Sequence, residues 1–163
     1  MTMNLAGVDL GIHKVALASF VDGAFNATVW RVDTEMPRAL QLRELAMVVH
    51  DTLNLWHIDT VWIEDTLIGN NRKYSLQLTE VRGAVMAYAP LGCDVRLVNV
   101  ATWKKDVVGD GHASKDAVRD YIHVTHPGYA PVCGDDQDVY DAACIALYGR
   151  HIQERAQDLR LVP

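Results

Sequence analysis

The stretch Asp138-Val139-Tyr140-Asp141-Ala142-Ala143-Cys144-Ile145-Ala146-Leu147 constrains the fold more than any other part of the chain. It reads as part of a helix over residues 136–155, and between Val139 and Leu147 it leaves almost no polar face. A helix that is apolar nearly all round must be covered on most sides. Asp138 and Asp141, three residues apart, nevertheless share one face of it. Burying one ionised carboxylate is costly, and two neighbours repel each other besides. No Lys or Arg lies between Arg119 and Arg150, so a metal ion is the economical counter-charge. The competing reading makes Asp136 or Asp138 a helix cap and Asp141 a surface residue, but Asp141 lies too deep in the helix to cap it.

The rest of the chain supplies a sheet for that helix. Residues 5–10 form a short apolar run broken by Gly11, and residues 15–21 are apolar and β-branched. Asp22-Gly23 is a hairpin signal leading into an alternating strand over 26–32. Pro37 opens a helix in which Leu42, Leu45, Ala46, Val49 and Leu53 recur at helical spacing. Thr60-Val61-Trp62-Ile63 reads as a buried strand ending in Glu64. A long helix follows over about 74–89, then a strand over 94–100, a variable region, and a helix capped by Ser114 that runs to about His123. Residues 127–134 read as loop. The order β-β-β-α-β-α-β-α-α predicts an α/β protein of the RNase H-like fold. Its mixed five-stranded sheet has three antiparallel and two parallel strands, flanked by helices, in a single domain spanning 1–163.

Asp9 sits in Gly7-Val8-Asp9-Leu10-Gly11, an acid in an apolar strand whose small neighbours leave room for close approach. In this topology one acid from the first strand, Glu64 from the fourth, and Asp138 and Asp141 from the last helix converge. Four oxygen donors suit hard divalent cations such as Mg²⁺, which keeps waters and binds substrate phosphate. Two such ions, about 3.5–4 Å apart, suit in-line phosphodiester hydrolysis.

These segments resemble the RuvC-type Holliday junction resolvases, phage-like members included. Gly7–Gly11 looks like that family's first acid motif, and Ile63-Glu64 with the helix containing Arg82-Gly83-Ala84 looks like its second. The segment from Lys104 to Lys115 resembles its basic loop, and Asp138-Val139-Tyr140-Asp141-Ala142-Ala143 its C-terminal acid pair. The match runs from about residue 5 to residue 148. The resemblance implies metal ligation by Asp9, Glu64, Asp138 and Asp141, with two Mg²⁺ per site and Mn²⁺ as a substitute. It implies catalytic roles at the scissile phosphate for Lys104 and Lys115, and a homodimer formed through the helix around 75–89. Arg72, Lys73, Arg82, Lys104, Lys105, Lys115 and Leu67 are the expected DNA-binding residues. Bacterial members place an aromatic just after the second acid. Here the stretch is Thr66-Leu67-Ile68, and a leucine wedges between bases without offering a π-face. That extends the expected substrates from four-way junctions to forks and three-way junctions.

The net charge of −6 argues by itself against a nucleic-acid partner. Its distribution does not, because residues 72–119 hold 8 Lys/Arg against 5 Asp/Glu. Three cysteines without CxxC spacing suggest neither a disulfide framework nor a zinc cluster. No secretory signal or membrane span is visible, which predicts the cytoplasm of a bacterial or phage-infected cell. Trp30, Trp56 and Trp62 read as core, Trp103 as either core or a base-stacking ring, and His112 as an exposed loop residue. Leu76, Leu78, Val81 and Val85 serve either the core or a dimer interface. The competing functions are a nuclease acting on RNA/DNA hybrid or RNA, and a branched-DNA-binding protein that does not cut. An actin-like phosphate-binding domain is disfavoured because it needs a second domain, for which 163 residues leave no space.

Overall fold

A computed structural model of the chain describes residues 3–65 and 71–161. β1 (Leu5–Leu10), β2 (Lys14–Val21) and β3 (Ala24–Arg31) form an antiparallel meander. The β2–β3 turn places Asp22 at φ 49° and Gly23 at φ 83°, the left-handed two-residue turn that Asp-Gly favours. Helix α1 (Arg38–Leu55) crosses to β4 (Thr60–Asp65), which pairs parallel with β1. Helix α2 (Arg72–Ala87) crosses to β5 (Asp94–Asn99), parallel with β4, giving the sheet order β3-β2-β1-β4-β5. Then come α3 (Val100–Val107), α4 (Lys115–Thr125), the single turn α5 (Ala130–Cys133) and the long α6 (Gln137–Leu161). The mixed five-stranded α/β architecture is the one its sequence pattern predicts.

Each face of the sheet has its own helical layer. Ala6, Val8, Leu10, Val61 and Ile63 pack with α1 and α2 in one cluster. Ala16, Ala18, Phe20, Trp62 and Val98 pack with α3, α4 and α6 in the other. Strand alternation therefore aims Gly7, Asp9 and Glu64 at the α6 side. There α6 lies directly on β1: a Cβ at Gly7 would stand 2.3 Å from the Ala142 oxygen and 2.4 Å from the Ala146 nitrogen. Fully buried Ala16, Ala18, Ala142, Ala143 and Ala146 continue this close contact around Gly7. Further polar struts fix the helices. Arg38 donates to the carbonyls of Ile12 at 2.8 Å and Gln77 at 2.9 Å, joining α1 to the β1–β2 turn and to α2. Asp106 accepts from Arg155 at 2.6 Å and lies 2.7 Å from His151 Nδ1, joining α3 to α6.

Three expectations need correction. The region after β5 is not merely variable but contains α3, which sends only Trp103 and Val107 inward and so shows little periodicity. Asn99 caps it through the Ala101 N–H at 2.9 Å. Residues 127–134 are not all loop, since α5 makes one turn there. Trp30 is 46% exposed rather than core, because β3 is an edge strand, and its indole N–H reaches Glu44 at 2.8 Å.

Candidate active site

The close seat of α6 on Gly7 brings the helix start beside the residue two positions further along the same face of β1. As a result, Asp9, Asp138 and Asp141 place carboxylate oxygens within 4.8 Å of one another. Glu64, at the end of β4, falls outside that group but is near enough to act on Asp9, and one of its carboxylate oxygens accepts the Trp103 indole N–H at 3.0 Å. Gln137 donates to the Lys115 carbonyl at 3.1 Å and lies 3.5 Å from Asp141 Oδ1, linking the α4 start to the acid pair.

The electrostatics follow from crowding. Burial lifts the Asp9 carboxyl well above the ordinary carboxylate range; Glu64, Asp141 and Asp138 push it further up, while Lys115 pulls it down. Glu64 is also raised, chiefly by burial, against the Trp103 hydrogen bond. Asp141 is raised by burial too, opposed by Gln137, Lys115 and Lys104. Among the described residues no Lys or Arg pairs directly with Asp9, Glu64 or Asp141. A cluster of oxygen donors held at this energetic disadvantage fits a hard divalent cation, which favours their charged forms.

Asp138 is different, and here the expectation that no side-chain cation answers the acid pair is wrong. Lys14 pairs with Asp138 and lies 3.1 Å from Asp136 Oδ1. The antiparallel return of β2 alongside β1, with Ala16 opposite Asp9, carries Lys14 there. Burial works against the Lys14 ammonium, but its bonds to Asp138 and Asp136 prevail and raise its pKa. Asp136 also pairs with Arg31 and accepts the Asp138 backbone N–H at 3.1 Å, so it caps α6.

The basic residues divide into near and remote. Lys115 Nζ lies 3.7 Å from Asp138, and its side chain is 67% exposed. Lys104 donates to the Ala113 carbonyl at 2.7 Å, and Lys105 to that of Gly109 at 2.9 Å. Arg72 and Lys73 are exposed on the first turn of α2. Arg82 is not freely displayed, because Asp65 pairs with it. Leu67 lies outside the described residues, and His112 is exposed.

Comparison with known proteins decides the lineage. The sequence model for "Crossover junction endodeoxyribonuclease RuvC" matches residues 7–147. The chain belongs to the RuvC family. The RuvC of Rhodospirillum rubrum is 32% identical over 165 residues, covering 98% of this chain and 96% of that protein. The RuvC of Rickettsia bellii is 38% identical over 85 residues, so that alignment spans only 52% of this chain and 53% of its relative. Among solved structures, Thermus thermophilus RuvC aligns with a TM-score of 0.73 at 20% identity, covering 94% of this chain and 97% of that one. A second structure of the same protein, described as a complex with a Holliday junction substrate, also gives 0.73, at 21% identity and with 90% and 92% covered. These likenesses establish the RuvC-type, RNase H-like fold.

Three residues escape sequence reasoning. Lys14 was legible in principle, since a hairpin after an acid-bearing strand returns the chain beside that acid. Trp103 as a donor to Glu64 and Gln137 as a bridge had no local signal, because their partners lie 39 and 22 positions away.

Proposed function

We propose that this RuvC-family chain, acting as one domain, is a divalent-metal-dependent endodeoxyribonuclease that resolves Holliday junctions and other branched DNA. The observation that carries the reading is the meeting of Asp9, Asp138 and Asp141, with Glu64 beside them, next to Lys115 and Lys104. Asp9, Glu64, Asp138 and Asp141 would hold Mg²⁺, two ions per site, with Mn²⁺ as a substitute. Bound there, the cations supply a water of lowered pKa and charge for the leaving oxygen.

The chain's own residues do the positioning. Lys115, exposed at the N-terminus of α4, presents its ammonium where a scissile phosphate would meet the acids. Lys104, anchored on Ala113, adds positive charge from the opposite side of the loop. Arg72, Lys73 and Lys105 are exposed cations suited to the phosphate backbone, and Leu67 is suited to wedge between bases. Arg82 keeps its DNA-binding role in this reading only by leaving Asp65. The products are 5′-phosphate and 3′-hydroxyl ends. A homodimer supplies two equivalent sites for the paired strands of a junction. Val81 and Val85 are core residues, so α2 would meet its partner through exposed Leu76 and Met86. Among the described residues no helix is long and apolar enough to cross a membrane. In this reading the chain acts on DNA in the cytoplasm.

Labelled four-way, three-way and RNA/DNA hybrid substrates, incubated with Mg²⁺, Mn²⁺ or EDTA, test this reading. Symmetric paired nicks in the four-way junction, abolished by EDTA, are expected. Cutting confined to the hybrid strand, or none at all, contradicts it. Lys115→Ala is expected to slow junction cleavage by about 10–10³-fold. Because that side chain is largely exposed, stability in urea should change by only about 0.5 kcal/mol. An equal loss of stability and activity would make Lys115 a structural residue.

A further inference from the structure

Trp103 is wholly buried, yet its single polar atom is spent on a carboxylate rather than on a backbone carbonyl. Indole has one donor and no acceptor, so a buried tryptophan points its N–H where a partner is fixed. Here that partner is Glu64 Oε2 at 3.0 Å, reached from α3 across 39 positions of sequence. The ring itself cannot drift, since Val107, Val118, Ile122 and Tyr140 share its cluster. The next residue, Lys104, holds its ammonium 5.6 Å from the Trp103 ring centroid while bonding Ala113, itself buried. Asp106, two residues further on, clamps the same helix to α6 through Arg155 and His151. One short helix thus touches the β4 acid, the basic loop and the helix of the acid pair.

We propose that Trp103 is a positioning residue for Glu64. Its indole N–H fixes one oxygen of the carboxylate and leaves the other for the cation. Among the described residues the buried donor has no other partner in reach of its ring, so it sets the rotamer of the carboxylate it meets. Outer partners of ligating groups typically change metal affinity or activity about 10–100-fold when removed. This role rests on the metal-nuclease reading and adds to it a residue that touches neither cation nor DNA.

Trp103→Phe keeps a ring in the core and deletes the donor. Calorimetric titration of Mn²⁺ into the full-length variant is expected to show about tenfold weaker binding than wild type. Junction affinity should be unchanged and kcat reduced. In a Glu64→Gln background, Trp103→Phe should weaken Mn²⁺ binding no further, because the carboxylate that the indole N–H positions is already gone. Unaltered Mn²⁺ affinity with a lowered melting temperature would overturn the proposal and make Trp103 core filling. So would an additive loss in the Glu64→Gln background. A wild-type protein that binds no Mn²⁺ would instead overturn the metal reading itself. Should Trp103→Phe fail to fold, the assigned indole N–H resonance of Trp103 serves in its place. It is expected to move on Glu64→Gln and to broaden when Mn²⁺ is added to wild type, and insensitivity to both would overturn the proposal.

Discussion

Asp9→Asn is expected to abolish cleavage while making the cation-free protein more stable. The catalytic loss should reach about 10³-fold or more, the scale on which removing charge preorganised at a reacting phosphate acts. Junction binding should survive, since phosphate contacts come from cations elsewhere on the surface. The gain in stability has a separate cause. Asp9, Glu64 and Asp141 all titrate above the ordinary carboxylate range in the folded chain, burial being the leading reason for each. Between the unfolded and folded pKa values the folded state binds more protons. Cation-free stability is therefore full below the unfolded carboxylate range and falls as pH climbs toward the folded values. Asparagine carries no charge at any pH and also relieves Glu64 and Asp141. In EDTA near neutral pH the variant should melt roughly 2–8 °C higher than wild type, corresponding to about 1–2 kcal/mol. The difference should shrink in acid. Mg²⁺ should reverse the order, because only wild type gains from binding. Thermal unfolding at two pH values, with and without Mg²⁺, measures all of this, and a variant less stable than wild type in EDTA contradicts it.

Gly7→Ala should damage both fold and site, although Gly7 carries no chemistry. Its added methyl would meet the Ala142 oxygen at 2.3 Å, the Ala146 nitrogen at 2.4 Å and the Ile145 carbonyl carbon at 2.9 Å, all backbone atoms that cannot rotate away. Overpacking typically costs about 1–3 kcal/mol, and a backbone collision belongs at the upper end. Relief comes by lifting α6 off β1, which carries Asp138 and Asp141 away from Asp9. Cleavage should therefore drop at least about tenfold even where the variant is fully folded, since small misplacements of catalytic groups are costly. Gly83→Ala is the control: a Cβ at Gly83 on α2 meets nothing within 4 Å, so it should not destabilise the protomer. Urea unfolding combined with a nicking assay separates the two effects. Wild-type stability in Gly7→Ala would mean that α6 does not sit as described.

The parts of the molecule that sequence reveals are those whose signal is local. β1, β2, α1 and β4 announce themselves by runs and periods, Asp22-Gly23 by turn chemistry, and α4 by the Ser114 cap, whose hydroxyl accepts the Ala117 N–H at 3.1 Å. Helix α3 does not, because eight residues with two inward positions resemble a loop. Trp30 misleads for a related reason: an apolar residue in a strand is covered only if the strand is interior, and edge position is a property of the whole sheet. The acids follow the same division. Asp138 and Asp141 are conspicuous because an apolar helix surrounds them, and Asp9 because glycines flank it. What they lean on is invisible locally. Lys14 arrives by strand pairing, Trp103 by helix packing, and Arg82 is drawn to Asp65 from 17 positions away.

The proposed nuclease reading depends on the four acids gathering divalent cations. Anomalous diffraction from crystals grown with Mn²⁺ tests that most directly. The account predicts peaks bounded by the carboxylates of Asp9, Asp138 and Asp141, with Glu64 contributing a ligand oxygen. No peak between those side chains, at Mn²⁺ concentrations that support junction cleavage, would contradict it.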